Sequence, residues 1–168
     1  MSKKSLMIAM VVGFVTLFVA SGIYAGKEVK DQIRMENKAY AKHTRGVPVF
    51  EHKKHAAAYA EKNPDLHPNG CGDCHHDKEN KPLKALKAGD NVQNCIECHK
   101  KAGYVSGKEA KEKGLNEKQA LEYHANALHD NCQGCHKKYN KKMNLKSKDK
   151  GFAPTKSNCK TCHGGKDE

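Results

Sequence analysis

The sequence predicts a small, mainly α-helical domain with much coil and at most a short β-hairpin near the mature amino terminus. Leu, Ile, Val and Phe make up only 16 of the 143 residues after position 25, well below the roughly 20% needed by a chain that folds on its own apolar core. The eight Cys residues fall into four pairs, each followed at once by His. We therefore expect one small domain wrapped around an apolar group that is not protein.

Composition excludes a large enzyme domain with a conventional core. The chain has 168 residues, of which 30% are charged, with a net charge of +12 and no Trp. A chain so polar and so strongly charged is expected to be disordered by itself. The polypeptide after residue 25 should therefore need its bound group in order to fold.

The first 25 residues have the layout of a secretory signal peptide. Lys3 and Lys4 precede an apolar stretch, and small residues then lead to a cleavage site between Ala25 and Gly26. The alternative is an uncleaved anchor, because residues 6–25 are just long enough to span a bilayer. In both cases we expect a periplasmic protein. The chain then divides into a signal peptide or anchor, a polar leader and the domain that carries the chemistry, over residues 1–25, 26–46 and 47–168.

All four Cys pairs have the form Cys-x-x-Cys-His, which is the attachment site of c-type haem. Two thiols on one helical turn reach the two vinyl groups of one porphyrin, and the adjacent His binds the iron as proximal ligand. Disulfides and zinc sites are the alternatives, but neither requires a His after every second Cys. The motifs predict four covalent haems, attached at Cys71, Cys74, Cys95, Cys98, Cys132, Cys135, Cys159 and Cys162, with His75, His99, His136 and His163 as proximal ligands.

The sixth ligand of each iron must come from the remaining side chains. Met35 and Met143 are the only Met residues after position 25, so bis-histidine ligation of all four haems is the simplest account. Because His75 and His76 are adjacent, their side chains diverge toward different haems. A predicted Ala- and Lys-rich helix over residues 51–62 carries two more His residues on one face. The seven candidates are His43, His52, His55, His67, His76, His124 and His129.

Three segments share a recognisable arrangement of His and Cys residues, namely residues 49–55 (Val-Phe-Glu-His-Lys-Lys-His), 71–76 (Cys-Gly-Asp-Cys-His-His) and 123–130 (Tyr-His-Ala-Asn-Ala-Leu-His-Asp). In this order they resemble segments of the tetrahaem, low-potential class III cytochromes c of anaerobic, sulfate-reducing-type bacteria. The resemblance covers roughly residues 47–163 and implies a compact cluster of four c-type haems. It implies four ligand pairs, namely His52 with His75, His76 with His99, His55 with His136, and His129 with His163.

Within this pattern His124 is a rival to His129 as the distal ligand of the fourth haem. We prefer His129 because, like the family's ligand, it directly precedes an Asp residue. His43 and His67 are left as surface residues. The chain departs from the family in residues 63–70, an insertion of turn-forming residues between the first two ligands and the first motif.

Function follows from the ligand count. With eight axial positions filled by His no iron keeps an open site, so we expect an electron carrier rather than an enzyme. The resemblance implies a periplasmic shuttle in anaerobic respiration, which accepts electrons from a hydrogenase or formate dehydrogenase and passes them to membrane redox complexes. The alternatives are a quinol-oxidising tetrahaem cytochrome anchored by residues 6–25, and a multihaem reductase with one five-coordinate haem.

Charge indicates where a partner docks. Between residues 137 and 166 there are ten Lys residues and one acidic residue, Asp149. We expect redox partners with acidic surfaces to dock there, near the fourth haem; the alternative is a solvated basic loop. Nucleic acid is a poor partner for an exported chain in which no aromatic residues interleave with the basic ones.

Local signals predict three further elements. Residues 47–50 suit a short strand. Asn116 can cap a helix with an apolar stripe of Ala120, Leu121, Ala125 and Leu128. Residues 137–158 are Lys-rich without a periodic pattern, and we expect a loop there.

The export prediction is checked by the mature amino terminus. If residues 1–25 are a signal peptide, mass spectrometry of the protein purified from the periplasm will find Gly26 as its first residue. Recovery of the protein from the membrane fraction with residues 6–25 intact would instead support the anchored alternative.

Overall fold

The computed structural model describes residues 29–164. The predicted signal peptide or anchor lies outside these described residues. The described residues divide into two units, one of residues 30–86 and 92–164 and one that contains residues 29 and 87–91. Every helix, strand and Cys-x-x-Cys-His motif that the structure describes belongs to the first unit. Of the second unit, residues 87–91 form a turn in which the Asp90 carboxylate accepts a hydrogen bond from the Lys87 amide.

Two short strands form an antiparallel pair. Strand β1 is Ile33–Arg34 and strand β2 is Val49–Phe50, with Ile33 opposite Phe50. The position of β2 confirms the strand predicted over residues 47–50. Strand β1 lies in the stretch expected to be a polar leader, so this stretch contributes to the fold. No local signal marked β1, because two residues are too few to show an alternating pattern.

The predicted helix over residues 51–62 is present, and its centre is widened. A π-helix over Lys54–Tyr59 leads into helix α1, Ala60–Lys62. The carbonyl of Glu51 accepts hydrogen bonds from both the amide and the Nδ1 of His55, at 3.2 and 2.8 Å. Such single-turn widenings are frequent at functional sites. Turns of 3₁₀-helix follow at Pro64–Leu66 and Gly70–Asp73.

Five α-helices make up most of the remaining regular structure in residues 29–164. Helix α2 is Cys95–Cys98, α3 is Gly107–Glu112 and α4 is Glu117–Ala120. The longest, α5, is His124–Lys142, and a 3₁₀ turn at Lys156–Asn158 precedes α6, Cys159–His163. Together with the two-stranded sheet, these elements confirm the predicted class of a mainly helical protein with much coil.

The helix predicted after Asn116 is interrupted. Asn116 caps only α4, and Gln119 completes the capping box. The chain is extended at Tyr123, where it forms a bridge with Lys101. The Lys101 amide donates to the Glu122 carbonyl, and the His124 amide donates to the Lys101 carbonyl. These long-range bonds replace helical ones, so a new helix begins at His124.

The Lys-rich loop predicted over residues 137–158 is also shorter than expected. Helix α5 continues to Lys142, and its last turn contains Lys141 and Lys142, which suit the negative end of the helix dipole. Asn144 has a φ of 51° and the Leu145 amide bonds to the Asn140 carbonyl, which closes the helix. Lys142 also forms an ion pair with Asp65, so the inserted residues 63–70 contact α5.

Apolar packing contributes little to this fold. Among the described residues only Val47 and Val105 are buried apolar side chains, at 8% and 1% exposure. Fully burying such a side chain yields about 1.5–3 kcal/mol, whereas ordering each residue of the backbone costs about 1–2 kcal/mol. Two buried valines cannot offset that cost for a chain of this length.

We predict that the chain is unfolded without its bound group. A variant with all eight Cys residues replaced by Ala, which blocks covalent attachment, should give a random-coil circular dichroism spectrum and unprotected amides in hydrogen exchange. The wild-type protein with its groups attached is the control. A cooperative thermal transition in the eight-Ala variant would show that the polypeptide folds on its own.

Candidate haem-binding site

Each Cys-x-x-Cys-His motif lies on a single helical turn. In the first motif the Cys71 carbonyl accepts from the amides of Cys74 and His75, at 3.2 and 2.9 Å. In the second, Asn94 and Glu97 form a capping box around helix α2. The third motif is inside α5, and the fourth is helix α6 itself. All four therefore present two thiols three positions apart on one turn, as attachment to one porphyrin requires.

The first motif is held in place by close backbone packing. The amide and side-chain nitrogen of Asn69 both bond to the Asp73 carboxylate, at 3.0 and 2.8 Å. Gly72 is buried, and a Cβ atom there would lie 2.9 Å from the backbone carbonyl carbon of Leu83. The Leu83 amide in turn donates to the His75 carbonyl at 2.9 Å. A glycine at position 72 therefore lets the segment after His76 lie directly against the motif.

The thiols of different motifs lie close enough to interact. Desolvation together with the electrostatic effect of neighbouring thiols raises the pKa of Cys74 and of Cys132 to about 11, although both residues keep exposed surface. Cys132 and Cys135 act on Cys74, and Cys95 and Cys162 act on Cys132. The Asn131 side chain also donates to the Cys74 carbonyl at 3.0 Å. The third motif therefore lies among the other three.

The structure brings eight His residues together in four pairs, which are the pairs that the resemblance implied. Each pair joins one His of a motif to one His from another segment. The ring centroids are 6.5 Å apart for His52 and His75, 6.0 Å for His76 and His99, 6.3 Å for His55 and His136, and 5.9 Å for His129 and His163.

These distances suit two imidazoles on opposite sides of one metal ion. An imidazole nitrogen binds a transition metal at about 2 Å, and the ring centre lies roughly 1 Å behind it, so two coaxial rings have centroids about 6 Å apart. No hydrogen bond joins the two described rings within any of the four pairs. The residues therefore fit iron ions bound by two His residues each.

Backbone carbonyls orient five of the eight rings. A carbonyl oxygen only accepts, so each Nδ1 carries the proton and leaves the lone pair of Nε2 for a metal. The donor–acceptor distances are 2.6–2.8 Å, and the pairs are His55 with Glu51, His76 with Asp77, His99 with Leu121, His136 with Pro154, and His163 with Gly46. In contrast, Nδ1 of His52 is buried without a hydrogen-bond partner.

Burial also favours the neutral form of three of these rings. Desolvation lowers the pKa of His55, His75 and His129 below the usual value for His. His163, Lys156 and Arg45 lower the pKa of His129 further by repulsion. At neutral pH these imidazoles are unprotonated, and only the unprotonated ring binds a metal.

The remaining His residues do not belong to these pairs. His124, the rival of His129, is only 6% exposed, and its Nδ1 lies 2.8 Å from the Tyr40 hydroxyl. His43 stacks on Tyr40 with centroids 5.4 Å apart and is half-buried. His67, on the inserted loop, is also half-buried. The ring that faces His163 is that of His129.

Sequence reasoning missed several residues that contact the paired rings. The ring centroid of Phe50 lies 4.6 Å from that of His55 and 5.8 Å from that of His52. Tyr104 meets the His129 ring edge-on, with the centroids 5.4 Å apart. The sequence could have predicted the Phe50 contacts, because an aromatic residue close in sequence to His52 and His55 can pack against their rings. The carbonyls of Gly46, Leu121 and Pro154 left no signal, since every residue has one.

The described Cys and His residues form neither disulfides nor a cluster of side chains around a single metal ion. All eight Cys residues are described, and none forms a disulfide. Within residues 29–164 no three side chains of His, Cys, Asp or Glu converge as they would around a single metal ion. The part of the chain that the structure describes also has no helix long and apolar enough to cross a membrane.

Comparison with known families agrees with this geometry. The model of the class III cytochrome c family matches residues 27–163, which is most of the chain. The chain belongs to the class III cytochrome c family. No curated protein and no solved structure matches it.

Family membership establishes the general chemistry. The cytochrome is a multihaem electron-transfer protein with covalently bound haem c and iron. The four Cys-x-x-Cys-His turns have the form of the haem c attachment sequence, and the facing imidazoles have a separation that suits two ligands of one iron. The match begins at residue 27, so it includes strand β1 and Tyr40 as well as the motifs.

Two glycines inside the motifs give a matched test of the backbone packing. Replacing Gly72 by Ala places a Cβ atom against the Leu83 backbone and should destabilise the cytochrome by about 1–3 kcal/mol. Replacing Gly134, inside α5, by Ala adds a Cβ atom with no atom of another segment within 4 Å, so it should be neutral or stabilise the cytochrome by about 0.5–1 kcal/mol. Thermal unfolding of the two variants measures the difference. Equal melting temperatures would contradict the close approach at Gly72.

Proposed function

We propose that the cytochrome carries four haems, each bound by two His residues, and acts as a low-potential electron carrier in the periplasm. The four imidazole pairs with centroids 5.9–6.5 Å apart carry this proposal. The eight thiols supply two attachment points for each of four porphyrins. The ligand pairs are His52 with His75, His76 with His99, His55 with His136, and His129 with His163.

Neighbouring ligands on one segment support a compact cluster. His52 and His55 come from the same helix yet face partners in the first and third motifs. His75 and His76 are adjacent, and His76 faces the second motif. A segment that supplies ligands to two irons keeps those irons close, and short distances between haems favour rapid electron exchange among them.

Electron transfer without substrate binding follows from this ligand set. Haem iron supplies a reversible one-electron couple when it is bound. Two imidazoles on each iron leave no position for a substrate, so the side chains hold the iron rather than activate a reactant. His ligation in place of Met, together with carbonyl bonds that make imidazoles more basic, favours the oxidised iron and low potentials.

The charge distribution supports docking of acidic redox partners near the His129–His163 pair. We define the C-terminal lysine surface as the nine exposed residues Lys137, Lys138, Lys141, Lys142, Lys146, Lys148, Lys150, Lys156 and Lys160. Among the described residues, only Lys142 of these nine forms an ion pair. Of the 16 described lysines in residues 30–122, six, including Lys53, Lys101 and Lys113, are paired with carboxylates. Unpaired positive charge of this kind attracts negatively charged partners over long distances.

Lys156 links this surface to the proposed fourth haem. It lies close enough to His129 to lower the pKa of that ring, and Arg45, from the segment before strand β2, acts on the same ring. We propose that a hydrogenase or formate dehydrogenase docks here as electron donor, and that membrane cytochrome complexes accept the electrons. The signal-peptide layout of the first 25 residues supports a periplasmic location.

The length of residues 6–25 favours one second candidate, a membrane-anchored cytochrome that oxidises quinol. Such a protein would keep those residues as a transmembrane anchor. It would share the haem ligands proposed above and differ in its electron donor. Location in the membrane and oxidation of quinol would favour it over the periplasmic carrier.

The ligand assignment is tested by changing one distal His. The wild-type protein should contain four haems by the pyridine haemochrome assay and should be wholly low-spin by electron paramagnetic resonance. Replacing His76 by Ala should turn about one quarter of the iron high-spin, because one haem loses its sixth ligand. Replacing His67, whose ring forms none of the four pairs, is the control and should leave all iron low-spin. A wild-type protein with a high-spin haem would instead indicate an open site for catalysis.

The docking assignment is tested by salt and by charge reversal. The rate of reduction by a periplasmic hydrogenase should fall as ionic strength rises, because salt screens the attraction. Replacing Lys156 by Glu should slow the reaction more than the same change at Lys108, which is exposed on α3 beside Glu112. Stopped-flow measurements give both rates. Equal effects of the two substitutions, or no dependence on salt, would contradict docking at the C-terminal lysine surface.

A further inference from the structure

Two asparagines on helix α5 hold neighbouring segments in the same way. The side chain of Asn140 donates to the Ala153 carbonyl and accepts from the Ala153 amide, both at 2.8 Å. The side chain of Asn126 donates to the Val105 carbonyl at 2.8 Å and accepts from the Val105 amide at 2.9 Å. Each amide group thus satisfies both backbone groups of one residue, as a neighbouring strand would.

We call the two hydrogen bonds between the Asn140 side chain and the Ala153 backbone the clamp. This clamp lies next to a proposed haem ligand. Asn140 is only 5% exposed and is one helical turn after His136, so the two side chains lie on one face of α5. Pro154 directly follows the clamped Ala153, and its carbonyl accepts from Nδ1 of His136 at 2.7 Å. Within the described residues, these three bonds are the hydrogen bonds that join residues 150–155 to α5.

The backbone around Pro154 links the hydrogen bonds at Ala153 to the carbonyl that bonds to His136. The proline ring sets the φ angle of residue 154 and restricts Ala153 to extended backbone. Once both polar groups of Ala153 are held, the Pro154 carbonyl has little freedom to move. Pro154 has no N–H group, so no amide of its own anchors this carbonyl, and the clamp on Ala153 does so instead.

We propose that Asn140 is a positioning residue that keeps the potential of one haem low, namely the haem bound by His55 and His136. The inference rests on the proposed function. The carbonyl bond makes the His136 ring a stronger donor and stabilises oxidised iron over reduced iron. Asn140 never touches the haem iron or its ligands in this scheme, and it acts through the Ala153–Pro154 backbone.

The test replaces Asn140 by Leu, which keeps the approximate shape and removes both hydrogen bonds. The four haem potentials are followed by redox titration monitored by NMR, which resolves individual haems. Loss of an outer-shell hydrogen bond to a metal ligand typically lowers metal affinity or activity by about 10–100-fold, and we take the lower end for the change in the haem's redox equilibrium. We therefore expect about a tenfold rise in the reduced-to-oxidised ratio of the His55–His136 haem, a positive shift of about 59 mV for one electron. The Nδ1 proton of His136 should also exchange faster with solvent.

Replacing Asn126 by Leu is the matched control. It removes an equivalent pair of bonds on the same helix, but Val105 presents no carbonyl to a ligand. Its neighbour Tyr104 contacts His129 through its ring alone. This variant should lose comparable thermal stability and leave the potential of the His55–His136 haem and the exchange of the His136 proton unchanged. An equal shift in both variants would reduce Asn140 to a structural role and overturn the proposal.

A second variant covers the case in which Asn140→Leu does not fold. Pro154→Gly leaves the clamp intact but frees the backbone that carries the carbonyl, and it should shift the same haem in the same direction. No shift in this variant would overturn the proposal. The spectra of the wild-type protein separate the two hypotheses. Four low-spin haems with an unshifted His55–His136 haem in Asn140→Leu would overturn the role of Asn140 alone, whereas a wild-type protein without a haem at His136 would overturn both.

Discussion

The rest of the structure depends on one constraint, that four pairs of imidazole rings face each other with centroids about 6 Å apart. Each pair joins a motif to a segment distant in sequence, as when His129 of helix α5 faces His163 of helix α6. The described chain buries only two apolar side chains, so packing cannot determine where those segments lie. In the proposed arrangement of haems, metal–ligand bonds and the apolar faces of the porphyrins take the place of a protein core.

Polar backbone groups complete the arrangement that packing leaves open. Coil segments contribute the carbonyls of Gly46, Leu121 and Pro154 to three of the paired rings. Asn140 and Asn126 then hold coil segments against α5 by pairing with both polar groups of a single residue. Much of the coil is therefore ordered by specific hydrogen bonds, which explains how a chain with so little regular structure positions the eight paired His rings.

Lysines form ion pairs more often before the third motif than after it. In residues 30–122 many lysines form ion pairs with nearby carboxylates, as Lys53 does with Asp31 and Lys101 with Glu122. After His136 the basic residues mostly lack such partners within the described residues, and Lys156 adds its charge to the surroundings of His129. Among the described residues, six of the 16 lysines in residues 30–122 are therefore paired, against one of the nine after His136.

The sequence by itself determined what is local. Each Cys-x-x-Cys-His motif is one helical turn, and the strand at β2 and the helix after it follow from neighbouring residue types. The shortage of aliphatic residues predicted the missing core. The predicted ligand pairs came from the resemblance to a family, because spacing alone left seven His residues for four positions.

Only the tertiary structure decided what depends on distant residues. Tyr123 leaves the predicted helix because it bridges to Lys101, and residues 30–46 join the fold because Ile33 pairs with Phe50. His124 is turned toward Tyr40, which leaves His129 to face His163. The physical reason is that such contacts are hydrogen bonds and ring contacts between remote segments, and these produce no periodic pattern of residue types along the chain.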